Sequence, residues 1–573
     1  MNKLRIMNLP TAYNRFMIRI CGLYAVIWGF FGLTACGGAP PPAPPAQAPL
    51  PHERLNPLVE RYWDEHISAK TAASPQVLAD ALAVERRYFD EIAALPRQSL
   101  DSASRLTYDI FKRRRELAVE GLTYPAELLA PDPFCGYPMQ LAQAATDLRG
   151  APSVRVAEYD EWLHRIDEYD GWTKRSISNM RDGLRRGYSS PRAVVERALP
   201  MLQQLGEDRS ASVFYLPLRS MPDAIREPDR TRLIAAISHL VEAKLLPDYR
   251  ELHDFLQREY LPRARVNLGM STLPLGEAWY RHLIRVEASS TLSASEIHKI
   301  GMGEVDRLRG RLGTSAAGAI PATGAPLSAY AELKTQALAA LPALFSTSPP
   351  VDFEIRAAEP FMQGGELPTY RPAGAVRESA VLYVDAGASI QTAATPMASF
   401  LREAIPGRHY QSALQGARVD LPRFRRFETD PGFAEGWALY AASLGEELGL
   451  YTSDEAKSAA LLQELRCAVG SVVDTGLHAE GWTRQRSFDY LRTQLPVDDT
   501  EANLLIDRIA ATPARALACE MGKLKIQALR TRARQVLGDR FDVREFHSEV
   551  LKDGSMPLDI LERKINEWLG SRR

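Results

Sequence analysis

From about residue 56 onward, the sequence consists of long stretches with apolar residues at helical spacing, interrupted by prolines and glycines. The last stretch shows this clearly, because Leu558, Leu561 and Ile565 recur every three or four residues after Pro557. Proline suits the first turn of a helix, and this spacing places the apolar side chains on one face. The pattern predicts a single large, mainly α-helical body over residues 56–573.

Two short segments alternate as strands do. Val351, Phe353 and Ile355 would point to one side of a strand, with acidic residues between them pointing to the other. Residues 380–384 form a second run rich in strand-forming side chains. Period-two alternation and β-branched or aromatic residues favour strands. We therefore predict a small antiparallel β element near residues 350–386.

The N-terminus is typical of an export signal. Four basic residues precede the apolar run 20–33, which has 14 residues and is shorter than the ~20 that a membrane-spanning helix needs. The run ends at Leu33-Thr34-Ala35-Cys36, which resembles the box at which bacterial lipoproteins are cleaved and lipidated. We predict a lipoprotein signal peptide over residues 1–35 and a lipid anchor on Cys36. An ordinary signal cut after Ala35 is the alternative, and it also predicts export.

A proline-rich spacer follows the predicted lipidation site. Seven prolines lie between Pro40 and Pro51 and are separated mostly by alanine, a composition that favours an extended linker over residues 36–55. Gly37 and Gly38 follow Cys36, a pattern that resembles lipoproteins sorted to the outer membrane of Gram-negative bacteria. The expected location is therefore the cell envelope, at the outer membrane and facing the periplasm.

Charge and motifs exclude several classes of protein. The chain has 70 Lys and Arg against 71 Asp and Glu, so it lacks the basic excess by which most nucleic-acid binders neutralise phosphates. It contains no GxSxG nucleophile elbow and no Walker loop. Asp474-Thr475-Gly476 is the triplet of an aspartic protease, but no second triplet supplies the partner carboxylate that this mechanism requires.

The cysteines allow little covalent chemistry. With Cys21 in the signal peptide and Cys36 lipidated, Cys135, Cys467 and Cys519 remain, so at most one disulfide can form. No Cys-x-x-Cys pair is present to hold zinc or to act in redox exchange. We expect the three residues to be buried free thiols.

One region combines charged residues with an interrupted helix. Residues 395–411 begin as a helix that Pro406-Gly407 interrupts, because proline removes a backbone donor and clashes with the preceding turn. About 25 residues later, Glu435 lies on a different face from the apolar stripe that begins at Trp437. A carboxylate on this second helix could therefore face Glu403 on the first.

These residues resemble the signature of domain-of-unknown-function family 885, a bacterial family related to zinc metallopeptidases. The signature reads His-Glu-x-x-Pro-Gly-His-His-x-Gln, followed by Glu-Gly-Trp-Ala-Leu-Tyr, and is similar to a gluzincin helix with two extra residues. Four further stretches match the family, at 187–192, 276–280, 475–478 and 546–558. The resemblance covers nearly the whole body and implies a large, gluzincin-related helical fold.

The sequence departs from this signature at the metal ligands. Arg402 and Arg408 stand at the two histidine positions, whereas Glu403 matches the general base and Glu435 the downstream acidic ligand. Arginine is always cationic and offers no lone pair, so it repels a metal ion. We predict that the zinc site is lost and that the chain needs no cofactor. The two arginines could instead neutralise the two glutamates through charge-assisted hydrogen bonds.

Three other residues are candidates for the same site. His409, beside the second ligand position, is either a catalytic acid or base or a packed polar residue. His478 is either an oxyanion-stabilising group or a core histidine with satisfied hydrogen bonds. Tyr370 could donate a hydrogen bond to a substrate carbonyl.

The residues and the resemblance together predict an exported lipoprotein whose cleft binds a peptide or a small anionic ligand through Arg402, Arg408, Tyr370 and Glu435, without zinc hydrolysis. The alternative is a peptidase or esterase in which Glu403, His409 and His478 are catalytic and the metal site is altered. A third possibility is a structural envelope protein with a filled cleft. The sequence does not indicate an oligomeric state.

Overall fold

The computed structural model describes residues 51–69, 75–148, 155–207, 212–313, 325–359, 362, 367–373, 379–386 and 396–572. These residues belong to one compact unit. The predicted signal peptide, Cys36 and the linker up to residue 50 lie outside the described residues. The first helix begins at Pro51, so the last five residues of the predicted linker lie within a helix.

Most of the described chain is helical, which confirms the predicted fold class. Twelve helices precede the sheet in the described residues: α1 Pro51–Ala69, α2 Pro75–Ala93, α3 Ser102–Gly121, α4 Tyr137–Asp147, α5 Val156–Arg186, α6 Arg192–Glu207, α7 Leu216–Arg219, α8 Asp229–Leu240, α9 Leu246–Phe255, α10 Gly276–Glu287, α11 Ala294–Leu312 and α12 Leu327–Ala340. The long helix α5 packs with its neighbours around a core that includes Trp162, Tyr169 and Tyr249. It ends at Gly187, whose φ of 82° is in the left-handed region that glycine adopts without strain.

Three strands form a small mixed sheet: β1 Phe353–Ala357, β2 Thr369–Arg371 and β3 Ala380–Val384. The strand β3 lies in the centre, parallel to β1 and antiparallel to β2. The predicted sheet is therefore present, but its antiparallel pairing was wrong for β1 and β3. The chain passes through β2 between them, so it enters β3 in the same direction as β1. All five residues of β3 are buried, as expected of a strand covered on both faces.

Ten helices follow the sheet in the described residues: α13 Met397–Glu403, α14 Arg408–Gly416, α15 Arg423–Phe427, α16 Pro431–Ser443, α17 Asp454–His478, α18 Arg484–Gln494, α19 Asp499–Ala511, α20 Leu517–Leu537, α21 Val543–Leu551 and α22 Leu558–Ser571. The helix α16 lies in the core and packs closely on α20. The two helices meet at Gly436 and Gly522, where a side chain on either glycine would overlap the backbone of the other helix. This close approach fixes the position of α16.

Two of the three cysteines expected to be free are joined. Cys467 on α17 and Cys519 on α20 form a disulfide, with their Cα atoms 6.2 Å apart. The prediction of buried free thiols was wrong for this pair, because helix packing brings together two residues that are 52 positions apart in sequence. Cys135 is free, as predicted, but it is exposed.

None of the helices in the described ranges is both long enough and apolar enough to cross a membrane.

Candidate functional site

The interrupted helix of the signature region forms one side of the site. The helix α13 ends at Glu403 and α14 begins at Arg408, and the break between them contains a cis Ile405–Pro406 bond. Gly407 is needed in this break, because a Cβ atom there would overlap the carbonyl oxygen of Arg402. The indole N–H of Trp437 on α16 donates to the carbonyl oxygen of Pro406 at 2.9 Å. This hydrogen bond ties α16 to the break.

The structure brings together Arg402, Glu403, Arg408 and Glu435, here called the Arg–Glu cluster. The guanidinium of Arg408 bridges the two carboxylates. Its Nε donates to Glu403 at 3.0 Å, and one of its terminal nitrogens donates to Glu435. A backbone N–H, that of Tyr370 on β2, donates to the other oxygen of Glu403 at 3.2 Å. The two glutamates therefore share one buried cation.

Burial and charge determine the ionisation of this cluster. Burial raises the pKa of Glu435, but the guanidinium groups of Arg408 and Arg402 outweigh burial and lower that pKa to about 2. Burial lowers the pKa of Arg408, but the carboxylates of Glu403 and Glu435 outweigh it and raise that pKa above the usual value. Both groups are therefore charged at neutral pH.

Arg402 is held less tightly than Arg408. Its terminal nitrogen lies 3.5 Å from a Glu435 oxygen, and its Nε lies 3.8 Å from Glu403. The latter distance exceeds that of a hydrogen bond. This Nε is buried and has no hydrogen-bond partner among the described residues. The four side chains of the cluster are between 12% and 23% exposed.

His409 is fully buried beside the cluster, and both of its ring nitrogens have partners. Its Nε2 lies 3.1 Å from the carbonyl oxygen of Val351, and its Nδ1 lies 3.2 Å from the hydroxyl of Tyr370. The carbonyl can only accept, so Nε2 carries the proton and Nδ1 accepts from the tyrosine. Burial lowers the pKa of His409 to about 4, so the ring is neutral at pH 7.

His478 has different surroundings. The backbone N–H of Met270 donates to its Nδ1 at 3.2 Å, and its Nε2 donates to the carbonyl oxygen of Ile509 at 3.0 Å. Neither partner belongs to the Arg–Glu cluster. The ring is fully buried, and burial lowers its pKa to about 4. Of the two interpretations of His478, these contacts match the core histidine with satisfied hydrogen bonds.

Comparison with known proteins places the chain in a family. Residues 64–565 match the model of the family described as bacterial protein of unknown function, DUF885. The chain belongs to this family. No curated protein matches the sequence.

Two solved structures share the fold. One is a protein from Colwellia psychrerythraea described as a putative lipoprotein, with a TM-score of 0.77 and 22% identity over 91% of this chain and 100% of that chain. The other is described as a putative lipoprotein of unknown function from Shewanella oneidensis, with a TM-score of 0.66 and 15% identity over 90% of this chain and 99% of that chain. At these identities the likeness shows the fold alone.

Sequence reasoning missed two charged residues near the cluster. Glu287, at the end of α10, lies 3.9 Å from Arg515, just before α20. Burial is the main reason why the pKa of Glu287 is raised, and the charge of Glu435 adds to it. Arg515 in turn contributes to the low pKa of Glu435. The only available signal was that Glu287 lies on the helix that starts with the family stretch 276–280.

The side chains present do not fit a zinc ion at the signature position. A zinc site needs about three donors with lone pairs, whereas Arg408 places a cation between the two carboxylates that would remain. Within the described ranges, no group of three or more His, Cys, Asp and Glu side chains is arranged to hold a metal ion.

Proposed function

We propose that this chain is an exported lipoprotein, related to metallopeptidases, whose cleft binds a peptide or another small anion through Arg402 without zinc hydrolysis. The observation that carries the proposal is the arrangement of the Arg–Glu cluster. Arg408 donates a hydrogen bond to both Glu403 and Glu435, whereas Arg402 lies 3.5 Å or more from either carboxylate.

The geometry of the cluster, rather than its net charge, supports an anionic ligand. Two guanidinium groups face two carboxylates, so their charges balance. A ligand carboxylate can accept a charge-assisted hydrogen bond from the guanidinium of Arg402, because its distances to the two glutamates, 3.5 and 3.8 Å, are longer than hydrogen bonds of this kind. The C-terminal carboxylate of a peptide has the required chemistry.

Export and envelope attachment are part of the same proposal. The sequence before residue 51 predicts a signal peptide and a lipidated Cys36, and both structural neighbours are described as putative lipoproteins. We propose that the anchor lies in the outer membrane and that the body faces the periplasm.

The ligand can be tested by calorimetric titration of the purified protein with trialanine and with trialanine amide, which lacks the free carboxylate. We expect trialanine to bind and trialanine amide not to bind. The Arg402→Gln variant should bind trialanine at least about tenfold more weakly. The control variant Arg532→Gln changes an exposed arginine on α20 and should leave binding unchanged. Equal binding of both peptides, or undisturbed binding by the Arg402→Gln variant, would contradict the anion role.

The hydrolase alternative predicts different results. A peptidase or esterase screen should then show turnover that Glu403→Gln abolishes, and this result would overturn the binding proposal. About one zinc ion per chain, lost on Glu435→Ala, would overturn the predicted loss of the metal site. We expect neither turnover nor stoichiometric zinc.

A further inference from the structure

A second polar cavity lies among α11, α16, α17 and α20. Its volume is about 460 Å³, within the ~300–1,000 Å³ typical of small-molecule sites. No residue of the Arg–Glu cluster lines it. Its charged lining consists of four arginines, Arg307, Arg311, Arg530 and Arg534, and two glutamates, Glu447 and Glu464. All other lining side chains are polar, so the cavity suits a hydrophilic ligand.

Both glutamates of this cavity are already paired with cations of the protein. The two terminal nitrogens of Arg530 donate to the two oxygens of Glu447, at 2.8 and 2.6 Å. Glu464 pairs at 3.2 Å with Lys523, whose fully buried side chain also pairs with Glu520 at 2.9 Å. The carboxylates therefore do not need a cation from the ligand.

Two of the four arginines have no carboxylate partner in the described residues. Arg311, in the last turn of α11, has no hydrogen bond or ion pair with any residue in the described ranges. Arg534 has no carboxylate partner in those ranges either, and its guanidinium lies 5.3 Å from the centre of the Phe541 ring. Arg307 is paired at 2.6 Å with Glu304. The cavity therefore has a surplus of positive charge.

The hydroxyl groups of the cavity are already used as donors. Tyr440 donates to Nε2 of His547 at 2.8 Å, because Nδ1 of that ring donates to a backbone carbonyl oxygen. Ser443 donates to the carbonyl oxygen of Tyr440 at 2.7 Å, and Thr531 donates to that of Gln527 at 2.9 Å. The donors left for a ligand are mainly guanidinium groups, which cannot accept. The matching ligand is rich in acceptors and negatively charged.

The walls of the cavity are held in place before any ligand binds. The disulfide between Cys467 and Cys519 joins α17 to α20, and the Gly436–Gly522 approach fixes α16 against α20. These helices are therefore fixed, whereas the exposed side chains of Arg311 and Arg534 lose rotational freedom when they bind. Arginine side chains on such walls can bind phosphate oxygens bidentately.

We propose that this cavity is a binding site for a small molecule that carries more than one phosphate group. The two arginines without a carboxylate partner lie on different helices, Arg311 on α11 and Arg534 on α20, so each can bind its own phosphate group. No aliphatic side chain lines the cavity, so the phosphates rather than an acyl chain are recognised.

Calorimetric titration of the full mature protein with tripolyphosphate tests the proposal. We expect tripolyphosphate to bind at least about tenfold more tightly than inorganic phosphate, and glucose not to bind. The double variant Arg311→Gln/Arg534→Gln should weaken binding by about tenfold or more. Its fold should persist, because neither side chain makes an ion pair in the described residues. Binding should also weaken as salt is added.

Two matched variants make the test specific. Arg532→Gln changes an exposed arginine on α20 that does not line the cavity, and Arg402→Gln changes the peptide site, so both should keep tripolyphosphate affinity within about twofold. Absence of tripolyphosphate binding at low salt, or an equal loss in the Arg532→Gln variant, would overturn the site. Displacement of tripolyphosphate by phosphatidic acid vesicles would support the same chemistry on a lipid headgroup, and lack of displacement would support a soluble ligand.

Discussion

At the residue scale, two arginines determine what the site around Glu403 and Glu435 can do. A guanidinium supplies charge and directed donors but no lone pair, so it satisfies carboxylates that a metal ion would otherwise bind. In this structure Arg408 donates hydrogen bonds to both glutamates, whereas Arg402 lies farther from each of them. The glutamates therefore hold Arg408 in place, and Arg402 is the residue to which we assign the proposed ligand.

Charge complementarity allowed the pairing of these arginines with the glutamates to be predicted, because all four residues belong to the same signature. The contacts that Tyr370 on β2 and Val351 make with the site could not be predicted in this way. Tyr370 meets Glu403 and His409 only because the sheet packs against the broken helix, and the sequence carries no local signal for such a contact. His478 illustrates the reverse case, since its position in a family stretch drew attention to a residue whose hydrogen bonds lie within the core.

The ionisation of Glu435 predicts how stability depends on pH. Its pKa is lowered to about 2 in the folded chain from an ordinary value of 4.5, so its contribution is present above about pH 4.5 and is lost as the pH falls towards 2. We expect Glu435→Gln to reduce the free energy of unfolding by about 3 kcal/mol at pH 7, with a smaller difference at pH 3. Urea denaturation at both pH values measures this. Glu332→Gln, on an exposed face of α12, should change stability by less than about 0.5 kcal/mol at pH 7. A loss for Glu435→Gln that is independent of pH would contradict the ion-pair argument.

At the element scale, periodicity predicted the mainly helical fold and the helix after Pro557, and two of the three strands were also predicted. The strand β2 has three residues, too few for a period to be recognised, and its pairing with β3 depends on the tertiary fold. The direction of β1 relative to β3 was wrong for the same reason. The disulfide was equally invisible, because 52 residues separate its cysteines and only the packing of α17 on α20 brings them together.

The contact between α16 and α20 leaves no room for a side chain at Gly436 or at Gly522. A Cβ atom at position 522 would overlap the backbone of α16, the helix that carries Glu435. We expect Gly522→Ala to destabilise the protein by about 1–3 kcal/mol and to weaken trialanine binding, because α16 must move. Gly303→Ala is the matched control in α11, where a Cβ atom has open space and should stabilise the helix by about 0.5–1 kcal/mol. Equal effects of the two substitutions on thermal unfolding would show that helix propensity, rather than contact, determines the outcome.

The Cys467–Cys519 disulfide has a measurable effect on stability. Closing a loop of 52 residues restricts the unfolded chain, and the chain-entropy model gives about 4 kcal/mol. We expect the double variant Cys467→Ala/Cys519→Ala to lose stability of that order in urea denaturation without reductant. Cys135→Ala, which removes the exposed free thiol, should stay within about 0.5 kcal/mol of the parent. A double variant as stable as the parent would mean that the disulfide does not constrain the unfolded state.

At the scale of the whole molecule, one large helical body carries two polar regions of different character. The Arg–Glu cluster is balanced in charge, whereas the cavity among α11, α16, α17 and α20 has arginines in excess. The near-zero formal charge of the chain, −1, gave no sign of either region, because an overall sum hides local imbalance. The predicted location in the cell rests on the N-terminal sequence, which lies outside the described residues.

Attachment to the membrane is predicted to depend on Cys36. If its thiol is lipidated after cleavage of the signal peptide, the full-length chain produced in a Gram-negative host should fractionate with the outer membrane and incorporate a labelled fatty acid. Buried acyl chains contribute about 0.8 kcal/mol per CH₂ group, so their loss should release the protein. We expect Cys36→Ser to lose the label and to leave the membrane fraction, whereas Cys135→Ser should keep both properties. A Cys36→Ser variant that remains in the outer-membrane fraction without label would contradict the predicted anchor, and an unlabelled parent protein would favour an ordinary signal peptide cut after Ala35.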